Sequence, residues 1–167
     1  MPTPRLLPIL LLLSAAGACS REPRPLVAAV TLAGAGPRLA ADSLSDPFGV
    51  AADEDGNLFV TDGAGGRLYR ITPDGEARVI AAGLDMPSAV ALAPDGSLVV
   101  ANTGAQTIVR VDPATGGAAV VAGGFAAPVG VAVGENGTIF VADTYNDRIC
   151  AIDGAGRVRA LAGGGGP

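Results

Sequence analysis

From Pro47 onward the chain repeats itself with a period of about 40 residues, and that period restricts its folding more than any single motif does. The copies open at Pro47-Phe48-Gly49-Val50-Ala51, Pro87-Ser88-Ala89-Val90-Ala91 and Pro128-Val129-Gly130-Val131-Ala132. A turn glycine follows each opening, at Gly56, Gly96 and Gly137, and then an apolar run that ends in Asp62, Asn102 or Asp143. Repeats of this length are units that cannot bury their own apolar faces and must stack on one another.

Each copy contains four short apolar runs separated by turn signals, which is the strand count of a propeller blade. The expected strands are 49–52, 58–61, 68–71 and 77–81, then 90–93, 98–101, 108–111 and 118–122, then 131–133, 139–142, 149–152 and 158–162. Asp55-Gly56, Asp95-Gly96 and Asn136-Gly137 predict tight hairpins with positive φ at both turn positions. Asp74-Gly75, Gly116-Gly117 and Gly154 mark the turns before the fourth strands. Runs such as Val99-Val100-Ala101 and Phe140-Val141-Ala142 do not alternate with polar residues, so a blade covered on both faces is expected. Small residues at Gly49, Ala51, Ala89, Ala91, Gly130 and Ala132 allow the blades to converge on an axis. Dense glycine and hairpin spacing exclude stacked helical hairpins.

The third copy reads Pro128, Gly130-Val131-Ala132, Asn136-Gly137, Ile139-Phe140-Val141-Ala142-Asp143, Asn146, Arg148-Ile149 and Leu161-Ala162-Gly163. This pattern resembles the NHL-repeat family of β-propellers. The first copy keeps Asp62 and Arg67 but has Gly65-Gly66 near the asparagine position, and the second has Asn102 and Thr107. A WD40 repeat is excluded because the chain has no tryptophan and no histidine. The resemblance implies an all-β fold, a propeller segment of three four-stranded blades at 47–84, 85–125 and 126–167, part of a six-bladed ring.

Residues 26–46 are expected to form an unpaired outer strand and loop, because Val30-Thr31-Leu32-Ala33-Gly34 resembles the fourth strand of a blade. Propellers have about 4 to 8 blades, so three leave the ring open. Three expectations compete: a segment of a longer propeller, which the exposed blade faces favour; a homodimer of two chains that completes a six-bladed ring; and an open arc covered by a partner.

The N-terminus reads as a targeting signal over 1–18, with Arg5 before an apolar run at 6–13 that is too short to span a bilayer. Ala16-Gly17-Ala18 precedes Cys19, which resembles a bacterial lipoprotein signal in which cleavage between Ala18 and Cys19 leaves Cys19 lipidated. The same residues fit ordinary signal peptidase, which would release a soluble protein. A short tether is expected at 19–25. Either route exports the chain to a bacterial cell envelope, as a membrane-anchored lipoprotein or a periplasmic protein. Cys150, in an apolar run, reads as a small buried hydrophobe.

All 11 basic residues are arginine, against 16 acids, for a net charge of -5. An acidic surface repels phosphate backbones, so nucleic-acid binding is not expected. Without histidine the chain lacks Ser-His-Asp and Cys-His nucleophile systems, histidine-ligated zinc and histidine acid-base chemistry. Asp53-Glu54-Asp55-Gly56-Asn57 resembles a calcium loop only in part: Asp53, Asp55 and Asp62 take ligand positions, but Ala51 occupies the first and the bidentate glutamate is missing. No metal and no cofactor is expected. Asp62, Asn102 and Asp143 read as caps bonded to backbone N–H groups of the following turn. Arg67 and Arg148 read either as contacts between blades or as a grip on an anion.

These residues predict a noncatalytic exported scaffold that binds a protein, peptide or glycan. Phe48, Arg67, Asp143 and Arg148 are the named binding candidates, with Ser88, Val129 and the loops at 62–67 and 143–148 beside them. No catalytic residue is assigned. The competing expectation is a metal-dependent propeller enzyme, a lactone hydrolase or lyase, whose catalytic residues lie largely outside this chain; within it Asp53, Glu54, Asn102 and Asp143 are the available ligands.

Overall fold

The computed structural model describes residues 44–164. The signal, the Ala18–Cys19 junction, the tether and the outer strand expected before residue 44 lie outside the described residues, as do 165–167. Twelve strands form three antiparallel sheets. The first contains β1 (Pro47–Ala52), β2 (Leu58–Asp62), β3 (Arg67–Ile71) and β4 (Ala77–Ala82). The second contains β5 (Pro87–Leu92), β6 (Leu98–Asn102), β7 (Thr107–Val111) and β8 (Ala118–Gly123). The third contains β9 (Pro128–Val133), β10 (Ile139–Asp143), β11 (Arg148–Ile152) and β12 (Val158–Gly163). Each sheet joins its strands in sequence order, as a propeller blade does.

The strands extend slightly past the apolar runs for local reasons. Each first strand begins at its proline, which needs no ladder N–H at the first position of an edge strand. Each second strand runs on through its terminal polar residue, because Asp62 pairs with Arg67, Asn102 with Thr107 and Asp143 with Arg148 across the next strand.

The hairpins differ from the expected two-residue type. Only the glycines adopt positive φ, at 81° for Gly56, 81° for Gly96 and 79° for Gly137. Asp53 N donates to Asn57 O, and Gly56 N donates to Asp53 O, which makes a three-residue loop ending in a left-handed glycine. Short polar side chains hold these loops: Asp95 Oδ1 accepts from Ser97 N and Asn136 Oδ1 from Thr138 N. Before β12 the left-handed residue is Gly156, not Gly154, because Asp153 Oδ1 ties both Ala155 N and Arg157 N into the turn.

Side chains alternate between blade faces, and two cores lie between adjacent blades. Phe59, Leu68 and Ala81 of the first blade meet Val90, Leu98, Val100, Val109 and Val111 of the second. Val99, Ala101 and Ile108 of the second meet Ile139, Val141, Cys150 and Ile152 of the third. Cys150 is fully buried there, where the sequence puts a small hydrophobe. Coverage on both faces holds at the centre of the middle blade, whose β6 is buried along its whole length, while its outer strand β8 stays largely exposed. The outer blades each have one described neighbour, and β12 is exposed throughout. No helix among the described residues is long and apolar enough to cross a membrane.

Candidate functional site

One end of the blades is formed by the starts of β1, β5 and β9, the ends of β2, β6 and β10, and the loops between β2 and β3, β6 and β7, and β10 and β11. Its framework is the polar residue that closes each second strand. Asp62 Oδ1 accepts from Asp46 N at 2.8 Å and Gly65 N at 3.2 Å, and its Oδ2 accepts from Ser45 N at 3.2 Å. Asn102 Oδ1 accepts from Asp85 N at 2.7 Å. Asp143 Oδ1 accepts from Ala126 N at 2.6 Å, while its Oδ2 accepts from Asn146 Nδ2 at 2.8 Å and Arg148 Nε at 2.7 Å. The caps therefore reach chiefly backward, to the segment that enters the blade, and only Asp62 also holds a backbone N–H of the following turn. That geometry fixes the loops at this end.

Burial opposes ionisation of Asp143, but hydrogen bonds from Asn146, Ala126 and Arg148 outweigh it and hold the carboxyl below its ordinary pKa. Burial likewise opposes the charge of Asp62, and the N–H groups of Asp46, Ser45 and Gly65 outweigh it. These are the signatures of satisfied structural carboxylates. Arg148 forms its ion pair with Asp143 inside one blade, so the inter-blade contact expected of it is replaced by a local clamp. The Arg67 guanidinium donates to the Tyr69 hydroxyl at 3.3 Å, again within a blade. The inter-blade polar link falls instead to Thr103, whose hydroxyl donates to Pro128 O at 2.7 Å, and to Ser88, whose hydroxyl lies 2.6 Å from Thr103 Oγ1 and 3.1 Å from Val129 O.

Large apolar side chains stand exposed on this framework. Phe48 is 63% exposed, Met86 60%, Val129 44% and Tyr145 80%. The same end holds all four non-glycine residues with positive φ among the described residues: Met86, Gln106, Ala127 and Asp147. Left-handed backbone at bulky residues is unfavourable and persists where the surroundings enforce it, often at binding sites. Phe48 and Val129 were legible from the sequence. Tyr145 lies inside the 143–148 loop, where an aromatic at a loop tip is the sequence signal, and Met86 carries no such signal.

The opposite end is made of hairpin turns rich in acids. Asp95 is held below its ordinary pKa by the Ser97 hydroxyl, Asp112 by the Ala114 N–H and Asp153 by the Arg157 N–H. These carboxylates serve their own turns. Asp53 accepts from both Asn57 N at 2.8 Å and Asn57 Nδ2 at 2.7 Å, so it also closes its hairpin. The length of β2 separates Asp53 and Asp55 from Asp62, which dismantles the partial calcium loop. Glu54 and Asp53 lie at the end opposite Asn102 and Asp143, so the four conceivable metal ligands do not converge. No group of three His, Cys, Asp or Glu side chains among the described residues could hold a metal ion.

The blade architecture recurs in solved structures. Virginiamycin B lyase from Staphylococcus aureus is 22% identical, with a TM-score of 0.59 over 69% of this chain and 40% of that one. The same enzyme, inactivated by a histidine-to-alanine substitution, has been solved with quinupristin. A gluconolactonase from Xanthomonas campestris is 19% identical, with a TM-score of 0.64 over 75% of this chain and 50% of that one. A nidogen/laminin complex contains a chain 23% identical, with a TM-score of 0.65 over 72% of this chain and 49% of that one. This chain spans well under two thirds of each of these proteins. No curated protein sequence matches it. Residues 26–162 match the model of the Virginiamycin B lyase family, a β-propeller family. Because the match covers most of the sequence, the chain belongs to the virginiamycin B lyase family.

Proposed function

We propose that this chain is an exported, noncatalytic propeller scaffold with NHL-type repeats, held at a bacterial envelope membrane through lipidated Cys19, that binds a protein, peptide or glycan. The carrying observation is the concentration of exposed Phe48, Met86, Val129 and Tyr145 on one hydrogen-bonded end, together with every left-handed non-glycine residue described. Aromatic anchors on a pre-organised loop framework suit recognition, because little side-chain freedom is lost on binding. Arg67 and Arg148 border this surface as polar contacts, and Asp143 shapes it from beneath.

The noncatalytic part of the reading rests on composition. The family's lyase loses activity when one histidine becomes alanine, and this chain has no histidine. A second reading, a lyase or lactone hydrolase, is favoured by the family match and by the likeness to the gluconolactonase. Two measurements separate them. Incubation with quinupristin and with gluconolactone, with and without added divalent metal, is expected to give no turnover above buffer; turnover would establish the enzymatic reading. An envelope extract passed over the immobilised chain is expected to yield a ligand retained by the parent and lost by the Phe48→Ala/Tyr145→Ala double variant. Truncating an interface anchor typically costs about 1 kcal/mol or more, roughly fivefold or more in affinity. Equal retention by both would remove this end as the binding surface. Metabolic labelling with a fatty-acid analogue tests the anchor: label is expected in the parent and absent from Cys19→Ser.

A further inference from the structure

The groove between the first and second blades carries two arginines whose charge no described carboxylate meets. Arg70 on β3 and Arg78 on β4 are directly opposite each other in the register of the first blade, and Arg70 is opposite Phe59 on β2. All three side chains therefore rise from one face, the face that packs on the second blade. The same positions hold Arg110 and Ala119 in the second blade and Ala151 and Arg159 in the third. Only the first blade sets two cations side by side, and like charges directly opposite on a sheet repel.

Among the described residues, ion pairs join Arg110 to Asp95, Arg148 to Asp143 and Arg157 to Asp153, and none includes Arg70 or Arg78. Arg110 reaches the aspartate of its neighbouring turn at 3.1 Å. Its counterpart Arg70 instead donates through Nη2 to the side-chain oxygen of Asn57 at 3.0 Å, a neutral acceptor. Asn57 is 3% exposed, and its own N–H groups occupy both carboxylate oxygens of Asp53. The buried amide thus holds the guanidinium in place without neutralising it. Arg70 Nε is buried with no acceptor, a condition that few polar groups in folded proteins tolerate without a bound ion or water.

The two arginines form one wall of a groove of about 480 Å³, within the range of about 300–1,000 Å³ that small-molecule sites occupy. Phe59 and Leu92 lie at its base, and Pro113 and Ala114, in the turn after β7, form the facing wall. Gly116 lets that turn approach β4, since a Cβ there would lie 2.4 Å from Ile80 O. Asp53 is the one acid among the described lining residues, and it is spent on Asn57. Nearby Asp95 is held by Arg110 and Ser97, and Asp112 by the Ala114 N–H and the Thr115 hydroxyl.

We infer that this groove binds a small organic carboxylate, its anionic head between Arg70 and Arg78 and its apolar body against Phe59, Leu92 and Pro113. A planar guanidinium matches a carboxylate through paired N–H···O bonds, and an anion between the two arginines turns their repulsion into attraction. The apolar base favours an acid with a hydrocarbon body over a bare inorganic anion. Both walls belong to described blades, at the end opposite Phe48 and Tyr145, so this site is separate from the binding end proposed above.

Isothermal titration of the purified full chain with phenylacetate, phenylacetamide and inorganic phosphate tests it. Saturable binding of phenylacetate is expected, with the uncharged amide and phosphate each weaker by roughly tenfold or more. Arg78→Ala reproduces Ala119 at an exposed position; it should keep the parent's circular dichroism and weaken phenylacetate by a similar factor. Arg159→Ala, the equivalent change in the third blade, should leave binding unchanged. Phenylacetate should also raise the melting temperature of the parent and not of Arg78→Ala. Absence of binding, an amide or phosphate that binds as tightly as the acid, undiminished binding in Arg78→Ala, or an equal loss in Arg159→Ala would each overturn the inference.

Discussion

Asp143, which the sequence offers as a cap and as a conceivable metal ligand, acts as a fastener in the fold. Its carboxylate is fully buried, yet it has three hydrogen-bond donors, from the Ala126 backbone, Asn146 and Arg148. Asp143→Ala leaves those donors unmet, which is expected to destabilise the protein by about 1–3 kcal/mol in chemical denaturation. Arg148→Ala should cost less, because Arg148 is partly solvated and the other two donors remain. A neutral Asp143→Ala would remove the fastener role.

Acid should act through the same carboxylates. Asp62 and Asp143 have folded-state pKa values below the ordinary value, and an unfolded aspartate titrates near about 3.9. Their stabilising contribution is complete above that unfolded value and is lost as pH falls through the folded values. The melting temperature is therefore expected to be insensitive to these two groups between about pH 5 and pH 7 and to drop below about pH 4. Asp143→Asn should make the acid drop shallower. A steeper drop in that variant would contradict the assignment.

At the scale of elements, blade stacking depends on close contact between inner strands. An alanine methyl at Gly49 would sit 2.7 Å from both Ala89 Cα and Ser88 O, so Gly49→Ala must push backbone apart. Overpacking of this kind costs about 1–3 kcal/mol. Gly154→Ala has open space around it and is expected to stay within about 0.5 kcal/mol of the parent. Thermal melts of the pair check both, and equal stability would mean that the inner strands can separate without loss.

Strands and blades were legible because four apolar runs recur in register three times, and a repeat must bury its faces on neighbours. The turns were less legible. Asp55-Gly56 is equally suited to two-residue and three-residue hairpins, and all three copies take the three-residue form, closed by Asp53, Ala93 or Gly134 with only the glycine left-handed. The site was legible only in outline. Phe48 and the 143–148 loop stood out, but left-handed Met86 and Ala127 precede prolines, where local preference favours extended backbone. Only tertiary packing could put them there.

On the scale of the whole molecule, the two ends of the blades have different characters. One carries exposed apolar side chains on a hydrogen-bonded frame, and the other carries acids committed to their own turns.

The proposed binding end is tested most sharply by site-specific photo-crosslinking in envelope extract, with a benzophenone amino acid placed either at Tyr145 or at Glu54 on the opposite end. One discrete adduct is expected from position 145, competed away by excess unmodified chain, and none from position 54. The same adduct from both positions, or an adduct from position 54 alone, would show that ligand does not select the apolar end.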